Sequence, residues 1–234
     1  FDDDGPTLTV DANQGAADAL AVELDETVGE DRANSPEVAD GNTDDAGPGL
    51  AQVTTAVGGG ITSLFAIGGD YGSDLAGTTT GTLSFVGLPE QGSLATSLSA
   101  TDGGAISLSM NGDVIEGKDT DGHVVFSIAI VDVSLPAAPA EYQLQTTLFE
   151  AIDHGADEVS VFDEVTSLLL SEDGAVQLQY EVTRVDGDGD EIIESDVIDL
   201  INNEVSVFSF DDDGPTLTVD ANQGAADALA VELD

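Results

Sequence analysis

The stretch AVQLQYEVTRVDGDGDE, residues 175–191, decides how the rest of the chain is read. Its first part alternates. Val176, Leu178, Tyr180 and Val182 fall on one face of an extended strand, and Gln177, Gln179 and Glu181 fall on the other. A period of two marks a half-buried β-strand, with one face on a core and the other in water. The same alternation recurs in GTLSFVG (81–87), AISLSMNG (105–112), HVVFSIAIVDV (123–133), YQLQTTLF (142–149) and EVSVFSF (204–210). Turn-forming clusters such as Asn111-Gly112-Asp113 and Asp173-Gly174 separate these runs. Many short strands punctuated by turns predict an all-β fold, an Ig-like antiparallel β-sandwich, with room for an inserted or split second β subdomain. A short helix is expected at 164–170, where VTSLLL follows acidic residues. The run from Leu135 to Pro139 (LPAAP) should be a stiff connection, and the polar, Pro/Gly-bearing segment 25–50 a long loop.

The chain opens on FDDDGPTLTVDANQGAADALAVELD (1–25) and closes on the same string (210–234), a period of 209 residues. Identity over such a length does not arise by chance, so the sequence reads as one full repeat plus the start of the next. The period is far longer than the 20–50 residues of a solenoid layer, which makes each unit a domain. The expected organisation is a junction segment at 1–25, a β-sandwich module at 26–209, and a second junction at 210–234. Two frames are open. Either the first copy folds into this module and the second trails, or the second completes the sandwich and the first dangles. The strand EVSVFSF runs straight into FDDDGP, which favours the second frame. The start lacks both an initiator Met and a signal-peptide pattern, so the chain is read as an internal piece of a longer protein.

Charge poses the main physical problem. Lys and Arg number 3 against 48 Asp and Glu, a formal net charge of -45. Two carboxylates about 4 Å apart repel by roughly 1 kcal/mol in water and about 4 kcal/mol at an effective dielectric near 20. Lys118, Arg184 and Arg32 cannot neutralise this. An acidic disordered chain is the first reading to test, and it fails on the 41 % hydrophobic content arranged in ordered strands. The charge therefore either stays on solvated surfaces or is met by a bound cation. Nucleic acid is an unsuitable partner, because phosphate binding needs Lys and Arg. There is no cysteine, hence no disulfide and no thiolate metal site, and no apolar run approaches the roughly 18 residues of a membrane span.

The strongest local chemical signal is the end of the opening stretch, Asp186-Gly-Asp188-Gly-Asp190-Glu191. Glycines between aspartates let a short loop turn carboxylates inward around one centre, and calcium takes 6–8 oxygens at roughly 2.3–2.6 Å. An EF-hand is excluded: Glu191 stands where its invariant sixth-position Gly belongs, Val197 where its twelfth-position Glu belongs, and strands flank the loop. A calcium site on a β-hairpin or an interdomain edge is the expectation, and a solvated acidic turn the alternative. Asp2, Asp3 and Asp4, with their copies Asp211, Asp212 and Asp213, form the second candidate, at the repeat boundary. The alternative there is a flexible acidic linker. Asp119 and Asp121 in KDTDG (118–122) are a weaker candidate, and Asp44, Asp45, Asp70 and Asp74 weaker again. The GGDYGSDLA run (68–76) departs from the calcium-binding nonapeptide, with Tyr71 in place of its Gly and Ser73 in place of its Asp. His154 and His123 are the only histidines. No G-x-S-x-G elbow accompanies them, so His154 is read as structural and the protein as a non-enzyme.

In order along the chain, MNGDVIEGKDTDGHVVFSIAIVD, LFEAIDHGADE, YEVTRVDGDGDEI and FSFDDDGPTLTV resemble the large tandem repeats of RTX adhesins, with LDETVG (24–29) as a repeat-start element. The resemblance covers roughly residues 80–218 and leaves the stretch around 30–75 unaligned. It implies a β-sandwich extender domain of a giant type I-secreted surface protein of a Gram-negative bacterium. Such a protein is exported unfolded and is folded and rigidified by structural calcium outside the cell. On that reading Asp186, Asp188, Asp190 and the boundary aspartates become calcium-ligand candidates, and the partners are neighbouring repeats of the same chain. Other domains of the parent would bind the ligand in adhesion and biofilm formation. The runner-up is a module whose own surface recognises a glycan, ice or a cell. Thr78–Thr80 and Tyr71 are its only hints, and the low aromatic content, 5 %, weighs against it.

Overall fold

A computed structural model of the chain describes residues 5–27, 44–45, 47–73, 75–155 and 163–213. The described chain is all-β. Its strands are β1 (Thr9–Ala12), β2 (Val22–Asp25), β3 (Ala51–Thr54), β4 (Phe65–Gly68), β5 (Thr78–Val86), β6 (Leu94–Ala100) and β7 (Gly104–Asn111). Then follow β8 (Val114–Lys118), β9 (Val124–Asp132), β10 (Tyr142–Leu148), β11 (Asp163–Ser167), β12 (Ala175–Val185), β13 (Glu191–Asn202) and β14 (Phe208–Asp213). Two short 3-10 turns, Gln14–Leu20 and Ile61–Leu64, connect the early strands.

These strands make a six-stranded antiparallel sheet in the order β3-β10-β9-β8-β7-β6, two three-stranded sheets, β13-β12-β5 and β11-β14-β2, and the pair β1-β4. The sheets face each other in a sandwich. Phe126 of β9 meets Phe210 of β14 with ring centroids 5.2 Å apart, and Phe65 of β4 meets Tyr180 of β12 at 5.4 Å. The buried apolar side chains form one continuous cluster. Gly117 shows how tightly it is packed: a Cβ there would stand 2.4 Å from the Phe126 ring, its direct cross-strand neighbour. The alternation in β12 is obeyed. Val176, Leu178 and Val182 are fully buried and Tyr180 packs against them, while Glu181 is exposed.

Three expectations change. In place of the helix expected at 164–170 stands a strand that ends at Ser167: β11 pairs antiparallel with β14, Thr166 opposite Phe210. Its β-branched Val165 and Thr166 suit a pleated edge, and tertiary pairing settles what the short apolar run left open. The last strand starts later than EVSVFSF implied and runs on through the aspartates to Asp213. The Asn202 side chain accepts the N–H groups of Glu204 and Val205 at 2.8 Å each, which turns the chain before β14 begins. Finally, the first copy of the repeated string does not dangle. Leu8, Val10, Leu20, Val22 and Leu24 are all core residues. β2 of the first copy pairs in parallel with β14, Leu24 beside Phe210. The long loop expected at 25–50 falls mostly outside the described residues, whereas 51–68, which had no assigned elements, supplies β3, the second 3-10 turn and β4.

Candidate metal centre

The DGDGD segment is the turn of the β12–β13 hairpin. Val185 and Glu191 close the ladder as opposed residues, and the Asp186 N–H donates to the Asp190 carbonyl at 3.1 Å. Gly189 has φ +108, a region that side-chain-bearing residues rarely enter, so the glycine is required for the turn. Asp186 is buried, and its Oδ1 accepts the N–H groups of Gly189 at 3.0 Å and Asp190 at 2.9 Å. Its Oδ2 is buried as well and has no hydrogen-bond donor. The carboxylates of Asp186, Asp188 and Asp190 offer ligand atoms that all lie within 4.8 Å of one another. Burial raises the Asp186 pKa, but contact with the Asp188 side chain and the N–H groups of Asp190, Gly189 and Asp188 outweigh it and hold the carboxyl below its ordinary range. A charged oxygen shielded from water without a partner leaves its desolvation cost uncompensated. A hard divalent cation removes that cost, and an all-oxygen set completed by carbonyls and water suits calcium.

The hairpin turn also touches the repeat junction. Gly5 packs against it, and a Cβ on Gly5 would lie 3.5 Å from Asp190 Oδ2. Next to it, Thr7 is held by the Asp70 carbonyl at 2.9 Å and by the Arg184 guanidinium, whose Nη1 donates to the Thr7 carbonyl at 2.6 Å. Arg184 is buried, with its Nη1 also on the Gly68 carbonyl, its Nε on Thr79 Oγ1, and its guanidinium 5.2 Å from the Tyr71 ring centre. One of the chain's few cations therefore fastens the strands beside the acidic turn.

The other candidates divide as follows. Glu191 starts β13 and is not part of the Asp186 cluster. Asp2, Asp3 and Asp4 lie outside the described residues. Asp211 is half-buried in β14, where its carbonyl accepts the Glu26 N–H at 3.0 Å. Asp212 and Asp213 continue that strand opposite Glu164 and Asp163, and their side chains lie outside the described part. Asp70 accepts the Gly72 N–H at 3.0 Å, which makes it a turn former. Asp44 is buried and accepts the Asp25 N–H at 3.0 Å, with burial pushing its carboxyl up. Asp45 is exposed, and Asp74 lies outside the described residues. His154 Nε2 lies 3.3 Å from Glu26 Oε1, both side chains buried.

Asp119 joins a group that the sequence reading missed. Its Oδ2 is 3.2 Å from His123 Nδ1, and Glu150 brings a third ligand atom within 4.8 Å of both. Asp121 lines the same cleft without belonging to the group. Burial raises the Asp119 pKa, yet the backbone N–H and side chain of His123, with the N–H groups of Gly122 and Asp121, bring it below its usual value. The hydrogen bond to Asp119, then the charges of Asp119 and Glu150, raise the pKa of His123. Glu150 is far from the turn in sequence, and no motif spacing connects the two.

A sandwich of mostly antiparallel sheets with a carboxylate-lined hairpin at its repeat junction is thus the class of protein these observations define. Residues 7–200 match the family described as Domain of unknown function (DUF5801), and the chain belongs to that family. No curated protein and no solved structure matches the chain.

Proposed function

We propose that this chain is a calcium-rigidified extender module. Repeated in tandem, it would project the ligand-binding domains of a giant, type I-secreted adhesin away from a Gram-negative cell surface. The observation that carries the reading is the buried, donorless Asp186 Oδ2, grouped with Asp188 and Asp190 beside Gly5 of the repeated string. A cation there would offset carboxylate repulsion and stiffen the point where the chain enters the module. The packing of the first copy supports the tandem reading. β14 carries this module up to Asp213, and the Gly214-Pro215 that follows in the second copy corresponds to Gly5-Pro6, just ahead of β1. On this reading consecutive modules are joined through a short Gly-Pro step of limited freedom. Folding that waits for calcium would keep the chain threadable during export from a calcium-poor cytoplasm.

Small-angle scattering on a protein of two consecutive repeats tests this. In calcium the pair should be extended with a narrow distribution of distances, and in chelator the distribution should broaden and shorten. An identical profile in both conditions contradicts a calcium-stiffened spacer.

The alternative, a surface that itself recognises a glycan, ice or a cell, draws on the exposed Thr78–Thr80 segment of β5. Thr79 is already engaged there, by Tyr71 at 2.8 Å and by Arg184. Direct binding of a single repeat to a glycan array or to ice would favour that alternative over the spacer.

A further inference from the structure

We propose that Asp119, His123 and Glu150 form a second cation site, selective for a borderline transition metal of the zinc class and separate from the oxygen-only hairpin turn. The donor set decides the class of ion. Calcium takes oxygen ligands, whereas an imidazole nitrogen combined with carboxylates suits zinc and its neighbours. Zinc bonds of about 2.0–2.2 Å place tetrahedral ligands roughly 3.3–3.6 Å apart. Asp119 Oδ2 and His123 Nδ1 stand at 3.2 Å, close to such an edge.

The supporting structure holds these groups in place. Asp119 Oδ1 accepts the N–H groups of Asp121 at 2.9 Å and His123 at 2.8 Å, which fixes the carboxylate and directs Oδ2 towards the imidazole. Thr120 anchors the turn to the β6–β7 connection, its N–H on the Gly103 carbonyl at 3.2 Å and its hydroxyl on the same oxygen at 2.5 Å. On the far side, the N–H groups of Phe149 and Glu150 both reach the Val125 carbonyl, at 2.7 and 3.3 Å, tying Glu150 to the start of β9. Three connections at one end of the six-stranded sheet therefore converge on one point. The Asp119 side chain is fully buried and that of His123 largely exposed, so an ion can arrive from solvent and meet a fixed ligand. A cleft of about 420 Å³ lined by Thr101, Asp102, Asp121, His123, Glu150 and Ala151 opens there, with room for water to complete the coordination.

A plain turn, in which Asp119 caps N–H groups and His123 is only its surface partner, accounts for two of these residues. It gives Glu150 no role, and Glu150 is what distinguishes the two readings. This inference does not depend on calcium at Asp186.

The test is calorimetric titration of the full chain with zinc in saturating calcium, paired with NMR of the His123 ring. One zinc per chain is expected, with a shift of the His123 ring signals that calcium alone does not produce. His123→Ala and Glu150→Gln, both at accessible positions, should each weaken zinc binding by at least about tenfold, while Asp186→Asn leaves it unchanged. Absence of zinc binding in calcium, or full affinity in either His123→Ala or Glu150→Gln, overturns the site. Loss of zinc binding in Asp186→Asn would overturn its independence.

Discussion

Asp132 shows what a single carboxylate does in this chain besides adding charge. Its Oδ1 accepts the Ser134 N–H at 2.9 Å and the Glu141 N–H at 3.3 Å, closing the LPAAP connection between β9 and β10. The Ser134 backbone, then its side chain, lowers the Asp132 pKa below the usual carboxylate range. A carboxyl with a lowered native pKa stabilises the fold above its unfolded value, and the contribution is lost as pH falls through the native value. Asp132→Asn should therefore melt below the parent at pH 6–7, with the gap closing as pH falls through the lowered native value. A gap that is constant with pH would assign the effect to something other than ionisation. Asp119 and Asp186 serve the same local purpose, each accepting N–H groups of its own turn. The D-x-D-G and D-G-D-G-D spacings made those turns legible. The partners His123 with Glu150, and Gly5 with Asp190, were not, because folding brings them together from distant parts of the chain and no local pattern encodes that.

At the scale of elements, β12 was legible to the residue, since its alternation reports a sheet with one buried face. β11 and the run of β14 through the aspartates were not, because β11 is defined by pairing with β14, and β14 by pairing with β11 and, across most of the sequence, with β2. That pairing also involves the described parts of the repeated string. The first copy fills β1 and β2, and Phe210 and Asp211, at the start of the second, lie alongside Leu24 and Asp25. Removing residues 1–20 takes away buried Leu8, Val10 and Leu20, each worth about 1.5–3 kcal/mol, from a domain whose total stability is typically 5–15 kcal/mol. Cooperative unfolding should be lost or its midpoint sharply lowered, as circular dichroism would record. Removing residues 214–234 should leave the midpoint unchanged. The opposite pattern would mean that the second copy completes the sandwich.

For the whole molecule, the question is how a compact fold tolerates a net charge of -45. The described cations are committed locally: Lys118 pairs with Glu116 at 2.5 Å, and Arg184 is buried among backbone carbonyls and Tyr71. Much of the negative charge lies on exposed turns and strand faces, where solvent screens it. At Asp186–Asp190 it converges on a buried oxygen without a donor, where the proposed ion would sit. No described helix is long and apolar enough to cross a membrane. The most direct measurement is thermal unfolding of the chain in calcium, in magnesium and in chelator. Calcium at about 100 times its dissociation constant should add about 2.7 kcal/mol, with each kcal/mol raising the midpoint roughly 2–4 °C for a domain of this size. The rise should be selective for calcium over magnesium and reduced in Asp186→Asn. Superimposable melts in calcium and chelator would contradict the account.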